Sequence, residues 1–110
     1  MRANKPDWVA SSRERRVFHR FLVNLPASLL STALGRVSAT VVDFSQAGCR
    51  IRTRARCYRG DRLVLTIKGL SPRAVEAAWR GDGVVGLAFA EPLSWAVVTQ
   101  LAMPRVVTSN

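Results

Sequence analysis

AVEAAWRGDGVVGLAFA (74–90) places two apolar, alternating segments on either side of Gly81-Asp82-Gly83. An Asp-Gly pair readily adopts the positive φ angles of a type I′ turn, whose twist matches that of the flanking strands. The stretch therefore predicts a β-hairpin, with Val75, Ala77 and Trp79 on one side of the first arm and Val85, Leu87 and Phe89 on the second. Upstream the period stays near two. RLVLTIK (62–68) turns Leu63, Leu65 and Ile67 inward, between a turn at Tyr58–Asp61 and another at GLSP (69–72). CRIRTRAR (49–56) alternates Cys49, Ile51 and Thr53 against Arg50, Arg52 and Arg54, a half-buried strand with a basic outer face. RVSATVVDF (36–44) is β-branched, and FLVNLPASLLSTA (21–33) supplies a first strand with Pro26 at an edge or kink and Gly35 beyond its end.

Six short strands in this span predict an all-β fold, a six-stranded antiparallel barrel or sandwich, since closure removes exposed edges. The period then changes. Leu93, Val97 and Leu101 recur at helical spacing between Pro92 and Pro104, which predicts one short C-terminal helix over a barrel mouth. Expected boundaries are a lead-in over 1–12, one domain over 13–103 that includes an arginine segment, and a tail over 104–110.

The chain has 110 residues, room for a single modest core. Apolar residues at 48% and charged residues at 22% argue against wholesale disorder. A formal charge of +10 implies an anionic partner. Nearly all of that charge is arginine, the side chain suited to bidentate contacts and to stacking on flat bases, with lysine only at positions 5 and 68. No apolar run approaches a membrane span and MRANKPDW lacks a signal-peptide core, so a cytoplasmic protein without membrane insertion is expected. Cys49 and Cys57 read as small packed thiols, not as a disulfide framework or a metal site. His19 is the only histidine, set among arginines that disfavour its protonation, and paired catalytic carboxylates are lacking. These features argue against an enzyme and imply no metal or cofactor.

Two motifs remain. RERRVFHR (13–20) contains Arg16, three residues, then Arg20, with Arg15 directly before; read alone it is a solvated basic segment. DFSQAG (43–48) carries Asp43, Ser45 and Gly48 at a strand end and, read alone, is a turn. In this order on a small β-rich chain they resemble the two-part signature of the PilZ domain family, Arg-x-x-x-Arg followed by Asp-or-Asn-x-Ser-x-x-Gly. NLPA (24–27), TVVDFSQAGCRIRT and AWRGDGVVGLAFAEP extend the resemblance over residues 13–103.

The resemblance implies a six-stranded antiparallel barrel followed by a helix, acting as a receptor for the second messenger cyclic di-GMP. It assigns Arg16 and Arg20 to guanine and phosphate contacts, consistent with the match between a guanidinium and guanine N7 and O6. An arginine at the position of Arg15 accompanies two stacked ligand molecules in the family. Asp43 would accept from guanine N1 and N2, Ser45 would offer a hydroxyl, and Gly48 would let the ligand approach the backbone. Ala47 departs from the glycine common before the last motif position. Trp79 is expected in the core, with a place bordering the ligand as the alternative. Arg50, Arg52 and Arg54 are expected on a solvated face, with an extension of the positive ligand surface as the alternative. Binding would draw the arginine segment onto the barrel and so change the surface shown to a downstream protein, engaged in trans. The rival functions are a basic barrel for single-stranded nucleic acid, disfavoured by an aromatic content of 7%, and a PilZ-like protein adaptor that does not bind the messenger.

Overall fold

Backbone pairing links six strands into a closed barrel in the computed structural model, which describes residues 20–102. The strands are β1 (Phe21–Ser31), β2 (Gly35–Phe44), β3 (Gly48–Arg52), β4 (Arg62–Ile67), β5 (Arg73–Gly81) and β6 (Val84–Phe89), and one helix follows, α1 (Trp95–Ala102). Their order around the barrel is β1-β2-β3-β6-β5-β4, every pairing is antiparallel, and β4 returns to β1. The expected six-stranded antiparallel barrel with a short C-terminal helix is therefore the fold. The β5–β6 turn is of the predicted kind, with φ of 57° at Asp82 and 77° at Gly83.

Alternation fills the interior. Leu29, Val41, Phe44, Ile51, Leu65 and Ile67 are fully buried, each contributing about 1.5–3 kcal/mol of transfer free energy. Pro26 is tolerated inside β1 because of where its ladder ends. Its carbonyl accepts from the Lys68 amide, and the N–H it lacks would face the same side, beyond the last β1–β4 pair at Ala27 and Ile67. Helix α1 starts at a Ser94 cap, whose hydroxyl accepts from the Val97 amide at 3.2 Å, and it packs Val98 and Leu101 onto the barrel. Leu93 is buried just ahead of the helix instead of on it, so the inward stripe is Val98 and Leu101 with Val97 half-buried. No helix of the described residues is long and apolar enough to cross a membrane.

Four details depart from a strict period of two. β3 ends at Arg52, and Thr53 turns away to donate its hydroxyl to the Ser38 carbonyl at 2.9 Å. The register shifts on β1 between Leu22 and Leu25, on β2 between Val41 and Asp43, and on β5 between Ala77 and Trp79. Each shift is a one-residue bulge that reverses which side the following side chains face. Trp79, expected in the core with Val75 and Ala77, is consequently 45% exposed on the outer face. The same device turns Asp43 outward while keeping Phe44 inside.

Both cysteines are free and buried. Burial, reinforced by the Asp43 carboxylate and partly offset by Arg20, pushes the Cys49 thiol up to about 12; burial, then Asp61, raises Cys57. A thiol that holds its proton more tightly when folded contributes stability that is complete below its unfolded value near 9 and is lost as pH rises through the folded value. Neither thiol should therefore react with an aromatic disulfide reagent at about pH 8 until denaturant is added. Unfolding free energy measured against pH should be flat from about 6 to 8 and fall above about 9.

Candidate functional site

These bulges bring five positions into one row across the outside of the barrel. In pairing register they run Trp79 (β5), Gly86 (β6), Arg50 (β3), Asp43 (β2) and Leu22 (β1). Asp43 is the focus. It is only 1% exposed although it faces outward, because arginine side chains cover it. The Arg50 Nε donates to Asp43 Oδ2 at 2.6 Å and a terminal nitrogen of Arg50 pairs with the same oxygen. A terminal nitrogen of Arg20 lies 3.2 Å from Oδ1. That contact lacks hydrogen-bond geometry, so Oδ1 remains a buried acceptor without a hydrogen-bond partner among the described residues. The hydrogen bond from Arg50, then the charge of Asp43, raises the Arg50 guanidinium further above its already high value.

Arg20 owes its place to Phe21. The Phe21 ring packs 5.8 Å from Phe44 and 6.2 Å from Trp95, so the start of β1 is held between the barrel and α1. At the other end of the row, the Trp79 indole lies across Gly86, where an added Cβ would overlap the ring. Gly86 is thus the seat of an outward aromatic shelf one strand from Arg50.

The loop after Asp43 is built by the other two motif residues. The Ser45 amide donates to the Gly48 carbonyl at 2.8 Å, and the Ser45 hydroxyl accepts from the Ala47 amide at 3.2 Å. Gly48 is required by packing: an added Cβ would collide with the Leu87 carbonyl of β6. Gln46 then fastens the loop to the segment before α1. Its carbonyl accepts from the Leu93 amide at 2.8 Å and its side-chain amide donates to the Leu93 carbonyl at 3.0 Å.

The structure therefore brings Arg20, Asp43 and Arg50 into contact, with Ser45 and Gly48 in the adjoining loop and Trp79 at the end of the same row. Arg15 and Arg16 lie outside the described residues. Arg50 lies on the outer face as expected, partly exposed, and is also bonded to Asp43; a four-residue loop SQAG between Phe44 and Cys49 sets Asp43 opposite it. Gln46 and Leu22 carried no comparable sequence signal. Among the described residues no group of three or more His, Cys, Asp or Glu gathers as a metal site.

A small antiparallel barrel that presents two arginines around a buried carboxylate on its outer wall offers charge for anionic groups and an acceptor for hydrogen-bond donors. The PilZ domain model matches residues 14–102, and the chain belongs to that family, whose members are non-catalytic receptor modules. Among solved structures, the chain is similar to the PilZ domain of CeSA from a cellulose-synthesizing bacterium, with a TM-score of 0.56 and 13% identity over 83% of this chain and 96% of that one. At that identity the likeness concerns the fold. Comparison with curated proteins finds no match.

Removing Arg50 leaves the Asp43 carboxylate buried with Arg20 as its remaining cation, whereas removing Asp43 leaves two arginines free to solvate. Arg50→Ala should therefore destabilise the barrel by about 1–3 kcal/mol, and Arg50→Ala/Asp43→Ala should recover much of that loss, as read by denaturant unfolding. Gly48→Ala should destabilise more than a surface Gly→Ala change, because the obstructing atom is backbone and cannot rotate away.

Proposed function

We propose that this chain is a non-catalytic receptor for cyclic di-GMP, which binds along the Asp43 row and is closed upon by the arginine segment before β1. The observation that carries the reading is the Asp43 carboxylate, one oxygen fixed by Arg50 and the other a buried acceptor with no hydrogen-bond partner among the described residues. That acceptor suits the N1–H and N2–H edge of guanine, which adenine does not present in the same form. Arg20 and Arg50, both partly exposed, suit the phosphates and the N7/O6 edge. Trp79 offers an indole on which a base can stack, a contact of roughly 1–3 kcal/mol.

Family membership supports the same reading, and so does the complete signature Arg16, Arg20, Asp43, Ser45 and Gly48. Arg16 is four residues from Arg20, a chain length of at most about 14 Å, so it can reach the row. Arg15 supplies the extra cation for a second stacked ligand molecule. Within this reading Ser45 and Gly48 act by shaping the loop beneath the ligand, and closure of residues 13–20 alters the surface presented to a downstream protein.

Titration calorimetry with cyclic di-GMP, alongside cyclic di-AMP and GTP, tests the proposal. Selective binding is expected for the wild type, weakened at least tenfold, about 1.4 kcal/mol, in each of Arg16→Ala, Arg20→Ala and Asp43→Ala. A stoichiometry of two that falls to one in Arg15→Leu would support the role given to Arg15. Absence of heat with a folded wild type, or equal binding of cyclic di-AMP, would overturn the reading. Binding should also change Trp79 fluorescence, and Trp79→Leu should weaken affinity about tenfold without altering guanine selectivity.

A further inference from the structure

The barrel carries a second feature that the receptor reading does not use. A concavity of about 700 Å³ runs between β2, along Val37–Thr40, and the chain leaving β3, along Arg52–Ala55, with Gly83 of the β5–β6 turn closing one side. A smaller one of about 350 Å³ adjoins it across Thr53, Ala55 and Gly83 and is flanked by Arg80 and Asp82.

The dividing ridge is rigidly built. The Thr53 hydroxyl donates to the Ser38 carbonyl at 2.9 Å and accepts from the Ala55 amide at 3.1 Å, while the Thr53 amide donates to the Gly83 carbonyl at 3.2 Å. One residue thus ties β2, the β3–β4 connection and the β5–β6 turn together, so the groove needs no ordering before it is filled. Its charge is uncompensated. Both ion pairs among the described residues fall on Asp43, and Arg52, Arg54 and Arg80 have no carboxylate within ion-pair distance there. Asp82 is the one acidic side chain on the walls. The floor between the arginines is small and apolar, formed by Val37, Ala39 and Ala55.

We propose that this groove is a docking site for an extended acidic segment of a partner protein, with carboxylates on Arg52, Arg54 and Arg80 and a small apolar side chain seated between them. Charge complementarity selects the acidic partner, and the alkyl floor selects a peptide over a nucleic acid. No aromatic side chain lines either concavity, so bases have nothing to stack on. The nearby Tyr58 ring is covered on one face by the Arg80 guanidinium, 5.0 Å from its centroid. A membrane surface is disfavoured because none of the exposed large apolar side chains, such as Leu22, Trp79 and Trp95, lies on these walls. The site stands independently of the ligand reading, since it shares no residue with the Asp43 row.

The test is fluorescence anisotropy with a labelled twelve-residue Glu-Ala repeat, against a Gln-Ala repeat, a single-stranded oligonucleotide and vesicles of phosphatidylserine. The wild type should prefer the Glu-Ala repeat at least tenfold over the Gln-Ala repeat. The preference should vanish in Arg54→Glu/Arg80→Glu and persist in Asp43→Ala. Both altered arginines are exposed and Arg80 gives up only a surface contact with the half-exposed Tyr58 ring, so the variant should still unfold cooperatively near the wild-type midpoint and any loss is not a folding defect. Amide shift changes on peptide addition should concentrate at residues 37–40, 52–55 and 80–83. Equal binding by the arginine variant, shift changes centred on Asp43, or tighter binding of the oligonucleotide or the vesicles than of the peptide would overturn the proposal.

Discussion

Everything at the candidate site depends on a single extra residue in β2. Val41 points into the barrel, and by simple alternation Asp43 would do the same and Phe44 would face water. The shift of register between Val41 and Asp43 reverses this: Phe44 becomes fully buried and Asp43 comes to the outer wall opposite Arg50. The alternative would place a carboxylate in the apolar barrel interior, a desolvation of several kcal/mol with no cation to offset it. The bulge therefore serves packing and chemistry together. A second bulge at Ala78 performs the same reversal for Trp79, and the two reversed residues fall into one cross-strand row.

Within DFSQAG the work is divided by residue. Asp43 presents chemistry to the outside, whereas Ser45 and Gly48 spend their special properties on the loop itself, a hydroxyl to hold the Ala47 amide and a missing Cβ to admit the β6 carbonyl. Gln46, which the motif leaves unspecified, ties that loop to Leu93 just before α1. Phe21 makes a parallel connection between the start of β1 and Trp95 on α1. The helix consequently braces both the Asp43 side and the Arg20 side of the site.

How far this could be read in the sequence follows from what each feature depends on. The barrel was legible because strand period, turn chemistry at Asp82-Gly83 and the polar break at SQAG are local properties. Asp43 and Arg20 were legible through motif spacing. The position of Trp79 was not, because a bulge adds one residue without any compositional mark: Ala77-Ala78-Trp79 reads equally well as plain alternation. Gly86, with its Cβ position occupied by the indole, was the nearest thing to a signal, since a glycine inside a strand often marks a close approach. For Arg50 the face was legible and the partner was not. Alternation assigns it correctly to the outer face, but only the register across the hairpin reveals that an outward aspartate stands opposite.

A carboxylate is at first sight misplaced on a strongly basic surface offered to an anion. Its geometry resolves the difficulty. With Arg50 bonded to Oδ2 and Arg20 beside Oδ1, the three side chains carry a net positive charge, so an approaching anion meets attraction and not repulsion. The carboxylate meanwhile fixes the Arg50 fork, reducing the ordering that a ligand contact would otherwise require. It also keeps one acceptor in a dry setting, where a ligand lacking a matching donor would leave that oxygen unsatisfied at about 1–3 kcal/mol. On the proposed reading, attraction to anions falls to the arginines and discrimination among them to the aspartate, a separation of roles that neither residue type provides alone.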